Sequence, residues 1–325
     1  MIFFCLGGLL KADELIKRTQ VMMGTYVSIS LPKNKVSLST KAFERLKEVE
    51  MGLSSYDENA QVYQINHNKM SFISKDTYEA LVLSKQYYHD TKGYFDITIG
   101  SITKGLFHFG EDARLPSKNE LSFARVDFKG LHFNKAQAWI DSGIKLDLGG
   151  MGKGYGVDKA VELLKEQGVT KGVVALSGDI FCFHQCFMAI QDPFSSKYLA
   201  DFYMAKADTS ISTSGNYRRY VQNTKYNHLI NPKTKTSQRT FASITLLSRD
   251  YSNADLDAYA TATSVMPKAE AFTFLKSLDG VGYLVVTTDK KIYMNEALRS
   301  LTKQMHLYEK NRVKERSLIY LRSIP

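Results

Sequence analysis

Apolar and polar positions alternate with the period of strands in three places: residues 19–31, interrupted at Gly24; residues 144–148, where Ile144, Leu146 and Leu148 flank Lys145 and Asp147; and residues 219–221. Helical spacing appears at residues 41–53 (Phe43, Leu46, Val49, Leu53) and at residues 78–91, closed by Lys92-Gly93. It returns at residues 157–164, where Val157, Ala160, Val161 and Leu164 share a face and Gly168 stands at the stop position. Cap-type residues open an alanine-rich helix at Asn253, which Pro267 ends; residues 269–278 form another. Residues 282–287 and 292–294 predict a closing hairpin, and a strand pair holds the single tryptophan, Trp139. No internal repeat or low-complexity segment interrupts this order.

The stretch 144–168 organises the chain, because strand, glycine-rich turn and helix follow one another there. Five glycines fall within residues 149–156. They let backbone N–H groups approach a ligand closely, and the helix start offers partial positive charge to an anion. Lys153 adds a full charge inside the turn. The spacing excludes a Walker A loop, since Gly154 and Tyr155 follow the lysine, and a G-x-G-x-x-G match here is weak. A tight turn without a ligand is the plainer alternative. Farther on, Asp257 and Thr261 stand at i and i+4, on one helix face. They offer two hard oxygen ligands suited to Mg²⁺; the same aspartate would also suit the helix dipole alone. His228, in a turn, is a candidate base or a structural histidine.

Composition adjusts this picture only slightly. The chain has 325 residues, 44% hydrophobic and 23% charged, which is globular and long enough for one large domain or two intimate ones. A net charge of +10 invites a nucleic-acid reading, but the lysines are dispersed and no nucleic-acid-binding module appears. The three cysteines give no disulfide framework. Cys182 and Cys186 flank a histidine, yet the run is aromatic and strand-like, which favours packing over a metal; outside the cytoplasm the two could pair. Residues 2–10 are almost wholly apolar, too short to span a bilayer but matching the core of an export signal. The last twenty residues hold the densest basic run.

Residues 147–158 resemble the glycine-lysine segment of the ApbE family of flavin transferases. Asp147, Gly149, Gly150, Gly152, Lys153, Gly154, Tyr155 and Asp158 stand at its fixed positions, with Gly152 where alanine is usual. Met23-Gly24-Thr25 is similar to the family's opening M-G-T, and Tyr56 matches an aromatic position on the isoalloxazine. Residues 93–110 resemble the G-x-F-D … L-W-x-F-G block, with Phe107 where tryptophan is frequent. Ser177-Gly178-Asp179 resembles G-G-D, and residues 211–217 resemble S-T-S-G-D-Y with Asn216 for the aspartate. Residues 228–235 resemble H-I-I-D-P-x-T-G, with Asn231 for aspartate and Lys235 for glycine. Residues 253–264 resemble the magnesium-binding A-D-A-x-(A/D)-T-A motif.

The resemblance covers residues 22 to about 263 and implies an α+β fold. Two intimately packed α/β subdomains with largely antiparallel sheets would hold flavin in the cleft between them, as a transferase domain over residues 19–298. Residues 1–18 would be an export segment and residues 299–325 a basic tail. The implied activity is Mg²⁺-dependent FAD:protein FMN transfer: FAD is cleaved, FMN is attached through a phosphoester to a threonine or serine, and AMP leaves. Met23, Tyr56, Phe109, Gly110, Asp147, Lys153 and Leu229 would bind FAD; Asp257, Thr261 and the Gly150 carbonyl would bind Mg²⁺. His228 would be the base, with Asp257 as a substitute. The implied partner is a respiratory or electron-transfer flavoprotein, met in the periplasm or another exported location, with the enzyme peripheral to the membrane at most and not bound to nucleic acid. FAD pyrophosphatase activity giving FMN and AMP, or a non-catalytic flavin-binding protein, are the alternatives.

Overall fold

The computed structural model describes residues 14–217 and 219–308. Its first element is a hairpin, β1 (Leu15–Met22) and β2 (Thr25–Pro32), followed by the helices α1 (Leu38–Leu53) and α2 (Gln61–Asn68). Strand β3 (Met70–Phe72) leads to helices α3 (Lys75–Asp90), α4 (Gly100–Thr103) and α5 (Lys118–Phe123). Strands β4 (Leu131–Phe133) and β5 (Gln137–Ile140) precede helix α6 (Gly152–Glu166). Then come β6 (Val173–Leu176), β7 (Asp179–Cys182), β8 (Phe187–Gln191), β9 (Tyr198–Met204) and β10 (Thr209–Gly215). After β11 (Ile230–Asn231), β12 (Thr236–Ser237) and β13 (Phe241–Ser248) stand helices α7 (Asn253–Val265) and α8 (Lys268–Ser277). The hairpin β14 (Gly282–Thr287) and β15 (Ile292–Met294), helix α9 (Glu296–Leu301) and strand β16 (Thr302–Leu307) complete the order.

An eight-stranded sheet in the order β1-β2-β6-β7-β10-β13-β14-β15 runs through both halves of the molecule, antiparallel at every pairing. The two halves pack intimately because they share this sheet. Its inner strands are buried on both faces: every residue of β13 and β14 is out of solvent. Helices α6 and α7 lie on one face, with α1 beside α6 and against β1 and β2, and the small sheet β16-β9-β8 covers the other. The fold is α+β with antiparallel pairing, as the resemblance implies.

The close approach of α6 and α7 sets the geometry of everything that follows. A Cβ at Gly154 would stand 2.3 Å from the Asn253 carbonyl oxygen, so only glycine lets the two helix starts touch. Asp158, one turn farther along α6, accepts the Asn253 and Ala254 N–H groups at 2.8 Å each. It thereby satisfies two donors that a helix start leaves without intrahelical partners. Ser252 and Asp255 complete a capping box on α7.

Several expectations are corrected. Residues 144–148 form no strand of a sheet. Lys145 makes one parallel bridge to Ile99, and the Asn66 side chain bonds both the N–H (2.6 Å) and the carbonyl (2.9 Å) of Leu146 in place of a neighbouring strand. Helix α6 begins at Gly152, so Lys153 belongs to its first turn and not to the preceding loop. Residues 219–221 form a single bridge, Tyr220 to Asn227. Among the described residues, β1 already pairs before residue 19, and the fold extends past residue 298 through α9 and β16, which pairs with β9. A register shift between Lys303 and His306 breaks the alternation that would have betrayed β16. The apolar run 2–10 and the rest of the basic tail lie outside the described residues. Cys182 and Cys186 are joined by a disulfide.

Gly154→Ala should destabilise the protein by about 1–3 kcal/mol, as overpacking a tight contact does. Urea denaturation of the variant against the wild type measures it; an unchanged midpoint would show that the α6–α7 contact can yield freely.

Candidate functional site

A cavity of about 480 Å³ opens where the ends of β6, β7 and β10 meet the starts of α6 and α7. In its wall the Lys153 ammonium lies 2.8 Å from Asp179 and 3.1 Å from Asp257. Asp257 is 2% exposed and also accepts the Gly154 N–H at 3.2 Å. Asp179 is held in turn by the Ser212 hydroxyl, at 2.5 Å. Burial, and then Asp179 beside it, push the Asp257 carboxyl upward. Burial works against the Lys153 ammonium too, but the two carboxylates hold its pKa well above the usual range.

Thr261 stands one turn beyond Asp257 on α7, its hydroxyl 3.3 Å from that of Ser214. A Cβ on Gly150 would come within 3.0 Å of the Thr261 methyl and 3.3 Å of its hydroxyl, so glycine keeps this backbone against the threonine. Among the described residues no group of three or more His, Cys, Asp or Glu could cage a metal by itself. One carboxylate, one hydroxyl and one carbonyl fit an ion that completes its shell with water and phosphate oxygens, which is the habit of Mg²⁺.

One end of the cavity is built from loops. Met23 closes the β1–β2 hairpin with φ 49°, a left-handed conformation unusual for methionine, and its N–H is bonded to Glu50 at 2.7 Å. Met23, Phe109, Asp147 and Leu229 all line the cavity here. Asp147 accepts the Thr103 hydroxyl at 2.7 Å and the Gly149 N–H at 2.9 Å, with the Lys104 ammonium 4.0 Å away. Burial would raise its carboxyl, but Lys104 first, then these hydrogen bonds, hold it below the usual range. His228 also faces the cavity. Its Nδ1 lies 3.1 Å from the Arg219 carbonyl, an acceptor, so Nδ1 carries the proton and Nε2 keeps a lone pair. Burial, and Arg219 nearby, lower its pKa from 6.5 to about 4, so the ring is neutral at pH 7.

A model of the ApbE family matches residues 23–285. The chain belongs to the ApbE family. Curated relatives named FAD:protein FMN transferase include that of Treponema pallidum, 25% identical over 321 residues and covering 88% of each chain. Another, from Buchnera aphidicola, is 27% identical over 256 residues, 72% of this chain and 75% of its own. Among solved structures, the flavin transferase ApbE from Vibrio cholerae superposes with a TM-score of 0.77 at 24% identity, over 89% of this chain and 99% of its own. The ApbE protein from Thermotoga maritima gives 0.79 at 23% identity, over 90% and 100%. These structural likenesses establish the fold.

Of the residues singled out by the ApbE motifs, the structure brings Met23, Phe109, Asp147, Gly150, Lys153, His228, Leu229, Asp257 and Thr261 to one cavity. Tyr56 and Gly110 are not among its lining residues. Tyr56 instead lies under the Lys104 ammonium, 3.5 Å above its ring, and donates its hydroxyl to the Phe109 carbonyl at 2.8 Å. Gly110 makes room for that hydroxyl, which a Cβ would meet at 2.6 Å. Both residues therefore meet the cavity through Phe109, whose carbonyl Tyr56 holds. Lys104, Thr103, Asp179, Ser212, Ser214 and Arg219 went unnoticed as participants. Asp179 and Ser214 lay in recognised blocks and could have been proposed as partners, but nothing local marks Lys104.

Lys104→Met should raise the pKa of Asp147, followed by NMR of its carboxyl carbon. An unmoved titration would mean that the hydrogen bonds alone hold Asp147 low.

Proposed function

We propose that this ApbE-family chain is a Mg²⁺-dependent FAD:protein FMN transferase, which splits FAD, joins FMN by a phosphoester to a threonine or serine of a partner flavoprotein, and releases AMP. The observation that carries the reading is the meeting of Lys153, Asp257, Thr261 and Gly150 in one cavity, a set suited to the pyrophosphate of a dinucleotide. The names of the relatives from Treponema and Buchnera support the same activity.

Phosphoryl transfer asks for positioning and charge neutralisation more than for covalent help. Asp257, Thr261 and the Gly150 carbonyl would hold Mg²⁺, which supplies charge neutralisation at the pyrophosphate. Lys153, fixed by Asp179, places its ammonium beside the same phosphate oxygens. The acceptor hydroxyl oxygen attacks the phosphorus on the FMN side as the bond to the AMP phosphate breaks, and AMP leaves with the electron pair. His228 Nε2 takes the hydroxyl proton; its Nδ1–H, bound to the Arg219 carbonyl, keeps the ring in that tautomer.

The partner we propose is a flavoprotein of a respiratory or electron-transfer complex, met outside the cytoplasmic membrane. The Cys182–Cys186 disulfide supports an oxidising location, as does the apolar run at residues 2–10. Among the described residues no helix is long and apolar enough to cross a membrane.

Asp257→Ala should abolish the gain of FMN mass by a threonine-bearing acceptor incubated with FAD and Mg²⁺, read by mass spectrometry. Wild-type-like flavinylation by that variant would overturn the assigned centre, and FMN and AMP without mass gain on the acceptor would identify a pyrophosphatase. With His228 held neutral, its protonation limb in kcat/KM should lie near pH 4, so activity should be little changed between pH 7 and 6. A limb near pH 6.5 lost in His228→Gln would show that the ring titrates as in water.

A further inference from the structure

The only tryptophan of the chain, Trp139, stands on the outer face of the three-stranded sheet β3-β5-β4. Alternation along these strands sorts their side chains. Leu131, Ala138 and Ile140 turn inward and are buried in the main core. Met70, opposite Trp139, and Phe72, two residues on, turn outward and are 47% and 76% exposed, with Trp139 at 37%. On the other side of β5, His132 of β4 pairs with Trp139, and its ring stacks on the indole with the centroids 5.6 Å apart. Gln137, opposite Phe72, completes the set. The outer face is thus a contiguous group of Met, Phe and Trp with one imidazole and one amide, and it holds no Asp, Glu, Lys or Arg.

Lysines stand at both ends of this face. Lys69 directly precedes Met70, and Lys135 lies in the β4–β5 turn, beside Phe72 because the Ile73 N–H bonds the neighbouring Ala136 carbonyl at 3.0 Å. Both are exposed, and among the described residues neither forms an ion pair. The carboxylate bordering the face, Asp141, is already engaged by Arg125 at 2.9 Å and by His132 at 3.1 Å. A stable protein–protein contact takes about 800 Å² and about twenty residues from each partner, with a matching shape. Three apolar side chains cannot supply that. They can enter a lipid headgroup layer, where aromatic rings lose water without needing a complementary surface and flanking lysines reach anionic phosphates. The net charge of +10 favours the same kind of surface.

We propose that the outer face of the β3-β5-β4 sheet docks the protein on an anionic phospholipid surface, with Trp139, Phe72 and Met70 in the headgroup layer and Lys69 and Lys135 on lipid phosphates. Docking of this kind is reversible, because a few side chains give weak attachment that charge then strengthens. It uses neither FAD nor Mg²⁺ and no residue that lines the cavity, so it is independent of the transferase reading. Its consequence for that reading is that flavoproteins seated in a membrane would be met along the lipid surface and not from bulk solution.

The test mixes the full chain with vesicles of phosphatidylglycerol and phosphatidylcholine in equal parts and follows the fluorescence of Trp139, the sole indole present. Emission should move to shorter wavelength on binding, and phosphatidylcholine brominated on its acyl chains should quench it at least about twofold, as for an indole in the interface. Phe72→Asp, at a side chain that lies mostly in water, should weaken binding at least about tenfold. Lys69→Glu combined with Lys135→Glu should weaken it at least about tenfold on these vesicles, and the wild type should bind pure phosphatidylcholine correspondingly poorly. Unshifted and unquenched emission with vesicles overturns the proposal. So does sedimentation with vesicles without quenching, which would assign attachment to another part of the chain, such as the apolar run at residues 2–10. A spectral shift that follows protein concentration without lipid overturns it in favour of a second copy of the chain. Wild-type quenching in Phe72→Asp, with an unchanged melting temperature, overturns it too. Where Phe72→Asp melts below the wild type, the lysine pair decides, and wild-type binding by that variant refutes the docking face.

Discussion

The contact between the starts of α6 and α7 is the constraint on which the site depends. Lys153 comes from one helix and Asp257 and Thr261 from the other, and more than a hundred residues of chain separate them. Asp158 spans the junction by accepting two N–H groups of α7, which are free because a helix start has no carbonyls behind it. Burial pushes the Asp158 carboxyl up to about 7, against the pull of the two N–H groups it accepts. The helix start and its free N–H groups are what favour the ionised form there.

Around that junction the charges are arranged so that none stands alone. Two buried aspartates face one lysine, and in water-poor surroundings the like charges would repel without it. The arrangement leaves Asp257 responsive: a cation arriving beside it replaces an attraction that Lys153 supplies, while Asp179 keeps the ammonium in place. Around Asp147 the same logic recurs with Lys104 and Thr103. Asp147 and Asp257 are thus each backed by a donor from a different segment of chain.

The parts of this architecture that were legible in the sequence were the ones with a repeating or punctuated pattern. The apolar faces of α1, α3 and α6, the cap residues of α7 and the glycines before Lys153 could all be read from spacing, and the motif blocks located most of the cavity. The extended segment through Leu146 misled because its alternation is real but its hydrogen bonds go to the Asn66 side chain, eighty residues away. For Tyr56 the motif gives a position in the chain and not its neighbours: Lys104 lies over its ring. The small sheet β16-β9-β8 escaped because β16 lies far along the chain from β8 and β9 and both pairings carry register shifts.

The hairpin turns at Met23 and Ser177 hold non-glycine residues at φ 49° and 58°. Such backbone costs about 1 kcal/mol or more per residue, and a glycine or asparagine there would relax it. Selection for thermal resilience alone would therefore erode both turns, withdrawing a thioether and a hydroxyl from the cavity lining.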